Sequence, residues 1–102
     1  MQEPQAFTTT AKLWIYPGEN ANWHFLTLPK TVGQTIKATY APMRRGFGSL
    51  PVTVTIGATT WDTSIFPDSH SGSYLLPIKA RVRTKEELLA NDEVSFTLKI
   101  RQ

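Results

Sequence analysis

The strongest constraint on this chain is a period of two in its apolar residues. Val94, Phe96, Leu98 and Ile100 alternate with Ser95, Thr97, Lys99 and Arg101. Successive side chains of an extended strand point to opposite faces, so such a run buries one face and wets the other. Val52, Val54 and Ile56 alternate in the same way with Thr53 and Thr55, and Phe7, Thr9, Ala11, Leu13 and Ile15 alternate with Thr8, Thr10, Lys12, Trp14 and Tyr16. A helix cannot gather residues of that spacing on one side, so these segments predict strands.

Turn formers punctuate the runs. Pro17-Gly18 stops the first strand, and Trp23-His24-Phe25-Leu26-Thr27-Leu28 makes a second that is apolar on both faces. Gly57-Ala58 is a tight turn joining residues 52–56 to a fourth strand over residues 60–66, which makes a hairpin. Residues 67–72 are rich in turn formers and read as a loop. Residues 74–83 read as a fifth strand, with Leu76, Ile78, Ala80 and Val82 on one face. Two short helices interrupt the series. Val32, Ile36 and Tyr40, at spacings of four after Pro29, predict one over residues 30–40. Thr84-Lys85-Glu86-Glu87 has the form of a capping box and predicts another ending near Ala90. The fold class is therefore mainly β: six strands and two short helices, best satisfied by a small six-stranded β-barrel, partly open or closed, because closure removes exposed edges. A sandwich is the alternative.

Composition sets the remaining bounds. A chain of 102 residues, 40% hydrophobic and 19% charged, is expected to form a single globular domain over residues 1–102. The absence of cysteine excludes disulfides, thiolate metal sites and cysteine nucleophiles. Residues 1–10 have neither a basic start nor an apolar run, so no signal peptide is expected, and no stretch is apolar for long enough to span a membrane. The expectation is a cytoplasmic protein. The net charge of +3, from 11 basic and 8 acidic residues, is mild and counts against a dedicated nucleic-acid-binding arm.

An ordered set of segments carries a family resemblance. Trp14-Ile15-Tyr16-Pro17-Gly18 precedes Trp23-His24-Phe25-Leu26-Thr27-Leu28-Pro29, followed by the loop Arg44-Arg45-Gly46-Phe47-Gly48-Ser49. Then come Thr60-Trp61-Asp62-Thr63-Ser64-Ile65-Phe66-Pro67-Asp68, Gly72-Ser73-Tyr74-Leu75-Leu76-Pro77-Ile78-Lys79, and Val82-Arg83. Together these resemble the bacterial and archaeal domain of unknown function nineteen-oh-five, over roughly residues 7–100. The resemblance implies a small β-barrel and no agreed activity. The last third also resembles the swapped-hairpin barrels of transition-state regulators, which raises nucleic-acid binding as an alternative function.

Two groups of residues are candidates for a ligand site. As a strand, residues 74–83 would present Lys79, Arg81 and Arg83 on one face, and Arg44 and Arg45 lie in a glycine-flanked loop able to fold over them. Guanidinium and ammonium groups so gathered would hold a phosphate or carboxylate; otherwise they form a solvated face paired with Asp62 or Glu93. Trp14 and Tyr16 fall on the polar side of the first strand, where small or charged residues are expected. With Trp61 and Phe47 they would line a ligand groove, or else fill a second small core beneath a helix. Arg44, Lys79, Arg83, Trp14, Tyr16 and Trp61 are thus the expected ligand contacts, and the expected partner is a small anionic molecule.

Nothing in the sequence supports catalysis, a metal or a cofactor. His24 lies in an apolar strand and reads as structural. Asp68-Ser69-His70-Ser71 places its groups too close in sequence for a triad, and Gly46-Phe47-Gly48 lacks the helix and final glycine of a dinucleotide loop. A structural or protein-interaction domain remains the third alternative.

Overall fold

The computed structural model describes residues 6–18, 22–40 and 48–101. They form strands β1 (Ala6–Pro17), β2 (Asn22–Thr27), β3 (Leu50–Ile56), β4 (Thr59–Asp68), β5 (Ser73–Pro77) and β6 (Glu93–Ile100), with helices α1 (Lys30–Tyr40) and α2 (Ala80–Lys85). The strands close into a barrel in the order β1-β2-β5-β4-β3-β6. Every neighbouring pair is antiparallel.

Two long strands make closure possible. β1 pairs with β6 from Ala6 to Lys12 and then with β2 from Leu13 to Pro17. β4 pairs with β3 from Thr59 to Ile65 and with β5 from Phe66 to Asp68. The barrel thus has two halves, β1-β6-β3-β4 and β1-β2-β5-β4, which share the two long strands.

The alternation sends its apolar set inward as expected. Leu50, Val52, Val54 and Ile56 of β3 and Val94, Phe96, Leu98 and Ile100 of β6 are all buried, together with Leu13, Leu26, Ile65 and Leu76. Each such side chain contributes roughly 1.5–3 kcal/mol when withdrawn from water, the dominant favourable term for this barrel. The β3–β4 turn has Gly57 at φ +57 while Ala58 keeps a negative φ. That is the two-residue hairpin in which glycine is favoured at the first central position.

α1 follows its apolar stripe. Gly33, Ile36 and Tyr40 are buried, with Val32 packed at the margin. Gly33 lets the helix approach β5 closely: a Cβ there would stand 2.8 Å from Ser73 Cβ.

The structure corrects the reading of residues 74–83 as one strand. β5 stops at Pro77, and Ala80–Lys85 is helical. Ala80 decides the matter. Leu76, Ile78 and Val82 are buried, but Ala80 is exposed. Ile78 still follows the strand, its N–H donating to His24 O, and Val82 is buried from within α2, whereas a continuing strand would also have to bury Ala80. The capping box at Thr84 fails for the same reason. The helix has already begun, Thr84 lies in its last turn, and Glu87 takes φ +53 just beyond its end. The chain there closes by Glu86 N–H donating to Val82 O and Leu88 N–H to Arg83 O.

Candidate ligand-binding face

The outward residues of the two barrel halves differ in kind. On the β1-β6-β3-β4 half they are hydroxyls that pair across strands: Thr8 with Thr97 at 3.1 Å, Thr10 with Ser95 at 3.3 Å and Thr55 with Thr60 at 2.9 Å. Thr53 donates to Asp62 at 2.7 Å. On the other half the register aligns Trp14, Phe25 and Pro77 in one row, Tyr16 with Trp23 in the next, and Thr27, Leu75 and Phe66 in a third. The change occurs where β1 and β4 exchange partners. Threonine satisfies strand propensity on one side, so strand formation does not require aromatic residues on the other.

These aromatic groups stand in solvent. Tyr16 is 58% exposed, Trp23 59% and Phe66 45%. The planes of Trp23 and Phe25 lie within 10° of parallel at a centroid separation of 6.4 Å, and Trp14 meets Phe25 at 5.3 Å. Trp14 is anchored by its indole N–H, which donates to Thr27 Oγ1 at 2.9 Å. Tyr16, Trp23, Phe25, Phe66, Leu75 and Pro77 line a groove of about 740 Å³, with Thr63, Ser64 and Arg101 supplying its polar groups.

Trp23, Thr63 and Pro77 also border a second hollow, of about 270 Å³, which holds Lys79, Arg83 and His24. Lys79 precedes the first residue of α2, and Arg83 lies four residues on. Lys79 is still extended and Arg83 lies within α2, so the two cations reach one hollow, which Arg81 does not line, across the turn from strand to helix rather than by the strand alternation expected for them. Arg83 is fixed in place: its Nε–H donates to Ile78 O at 3.1 Å, and Nη1 lies 3.3 Å from His24 Nε2. Arginine only donates, so Nε2 accepts and the neutral ring carries its proton on Nδ1. That Nδ1 is buried without a partner among the described residues. No acidic side chain among the described residues lines either hollow.

Of the six expected contacts, Lys79 and Arg83 share the basic hollow, and Tyr16 lines the groove. Trp14 and Tyr16 border an adjoining cleft with Leu75 and His70. Trp61 is elsewhere. It is only 5% exposed and belongs to the core, because the alternation of β4 turns Trp61 and Ile65 inward and Asp62 and Phe66 outward. Arg44 and Phe47 lie outside the described residues. Trp23, Phe25, Phe66 and Leu75 escaped sequence reasoning. The signal was present in β2, whose second apolar face had no partner assigned to it.

The Asp68-Ser69-His70-Ser71 loop has a structural task. The Asp68 carboxylate accepts from the backbone N–H of Ser71 at 3.1 Å and of His70 at 3.4 Å. Partial burial raises its pKa, but hydrogen bonds from Ser71 and His70, with the nearby His70 charge, outweigh that and hold it below the usual carboxylate value. Among the described residues, no three histidine or acidic side chains are placed to hold a metal ion. No helix of the described residues is long and apolar enough to cross a membrane.

The fold and its outer surface define a small closed antiparallel β-barrel with an exposed aromatic face and a basic hollow at its edge. Residues 10–98 match the family model described as domain of unknown function (DUF1905), and the chain belongs to that family. No curated protein matches the chain.

Proposed function

We propose that this barrel is a non-catalytic binding module for a small anionic ligand. One observation carries the reading: Trp23 and Pro77 border both the apolar groove and the hollow holding Lys79 and Arg83. A ligand there meets apolar walls and two positive charges at once, the usual composition of a small-molecule site. No acid among the described residues lines the hollow to neutralise the two charges, and Arg83 is preorganised by Ile78 O and His24.

A thermal-shift screen of inorganic phosphate, sulfate and organic carboxylates tests this. A ligand that binds the native state alone raises the midpoint by mass action. At least one of these anions is expected to raise it, and Lys79→Glu to abolish the rise. Lys79 is exposed, so its replacement leaves the core intact. If no anion moves the midpoint, or Lys79→Glu responds as the parent does, the reading is wrong.

A further inference from the structure

The shape and chemistry of the two adjoining hollows narrow the ligand class. Resting on the binding-module reading above, we infer that the ligand joins a flat heteroaromatic ring to a phosphate monoester, the chemistry of a nucleoside monophosphate.

The ring is assigned by the groove. Its walls are mostly large aromatic or aliphatic side chains, Tyr16, Trp23, Phe25, Phe66, Leu75 and Pro77, of which Tyr16 and Trp23 also carry a polar edge. A flexible acyl chain needs no flat counterpart, yet Trp23 and Phe25 are held parallel within 10°. Their common orientation gives a planar ring one stacking direction. Trp23 is more than half exposed, so its indole is free to be covered. Stacking of a base on an aromatic side chain tolerates any base, because every base has a π-face.

The phosphate is assigned by the basic hollow. Lys79 and Arg83 together carry two positive charges, and a phosphate monoester carries roughly −1.5 to −2 near neutral pH. Arg83 commits Nε to Ile78 O and one Nη1 proton to His24, which leaves the outer edge of its guanidinium for an anion. Lys79, exposed at the same hollow, adds an ammonium. Asn22 and Thr63 stand at the same hollow with neutral donors. Because Trp23 borders both hollows, ring and phosphate sites are contiguous, as in a mononucleotide whose base and phosphate are separated by one sugar.

Isothermal titration of the full chain with four probes tests the inference: adenosine monophosphate, adenosine, ribose 5-phosphate and inorganic phosphate. Adenosine monophosphate is expected to bind at least about fivefold tighter than ribose 5-phosphate, from the stacking term alone. Trp23→Ala is expected to reduce it to the level of ribose 5-phosphate. Trp23→Phe, which keeps a ring, is expected to retain most of the preference. Lys79→Glu removes binding of every phosphate-bearing probe. If the phosphates bind but adenosine monophosphate gains nothing over ribose 5-phosphate, or Trp23→Ala behaves as the parent, the ring assignment is overturned and the anion module stands. If no phosphate-bearing probe binds, the phosphate assignment is overturned, and the anion module falls with it only if sulfate and the carboxylates also leave the thermal midpoint unmoved.

Discussion

Replacing Gly33 with alanine sets two known effects against each other. The substitution favours an isolated helix by about 1 kcal/mol, since glycine costs that much in a helix interior. In this barrel the new Cβ would lie 2.0 Å from Ser73 Oγ, 2.8 Å from Ser73 Cβ and 3.1 Å from its Cα. The hydroxyl can rotate away, but the Cβ and Cα belong to β5 and cannot. Ordinary contact begins near 3.4 Å, so α1 must retreat by about 0.6 Å from β5. Overpacking of this kind costs roughly 1–3 kcal/mol, which exceeds the helical gain. Gly33→Ala is therefore expected to destabilise by about 1 kcal/mol in urea melts. Ser73→Gly removes the Cβ that obstructs, so the double variant should recover much of the loss, with a coupling of about 1–2 kcal/mol. Ser73→Ala keeps that Cβ and should give little rescue. If Gly33→Ala instead stabilises by the full helical increment and shows no coupling to Ser73, the close packing of α1 on β5 is wrong.

Two more outcomes follow from buried and hydrogen-bonded groups. Trp61 buries its indole N–H without an acceptor among the described residues, a cost of roughly 1–3 kcal/mol. Trp61→Phe removes that cost along with some packing, so it should change stability by less than about 1.5 kcal/mol in urea melts, whereas Trp61→Ala should lose about 3–5 kcal/mol. The Asp68 pKa is lowered in the folded state, so its contribution is fully present above the unfolded value of 3.8 and is lost as pH falls through the lower folded value. Asp68→Asn is expected to flatten that part of the stability-versus-pH curve below about pH 4; identical slopes for parent and variant would refute the role given to the loop hydrogen bonds.

Much of the fold was legible because burial in a barrel follows period two. β3 and β6 obey it at every position, and so do Leu13 of β1 and Trp61 and Ile65 of β4, but Ile15, expected on the inward face of β1, is exposed near the strand's end. The 30–40 helix was equally plain, since Val32, Ile36 and Tyr40 repeat at four and Pro29 precedes them. Residues 74–83 were not, because Ile78 and Val82 fit both periods and only the exposure of Ala80 separates them. A capping-box pattern at Thr84 added a false start. It records local propensity, which the burial of Val82 overrides. The site was legible in part. Trp14 and Tyr16 stood out as large groups on a face of threonines, but Trp61 matched them in type while pointing inward. Whether a strand residue faces the core or solvent depends on register, and for β4 the run Thr60-Trp61-Asp62-Thr63-Ser64-Ile65-Phe66 carries apolar groups at both parities. That Lys79 and Arg83 share a hollow was expected from the wrong geometry, because the chain leaves the strand before Lys79 and turns into α2 ahead of Arg83.

The central claim is that an anion binds at the basic edge of the aromatic face. Nitrogen-edited NMR spectra of the labelled chain, titrated with inorganic phosphate, address it directly. The three tryptophan indoles report from three places: Trp23 beside the basic hollow, Trp14 bonded to Thr27, and Trp61 in the core. The account predicts that amides of residues 78–83 and the Trp23 indole shift together and saturate, while the Trp61 indole and the amides of Thr55 and Thr97 stay still. Shifts confined to the threonine-lined half, or none up to millimolar phosphate, would contradict it.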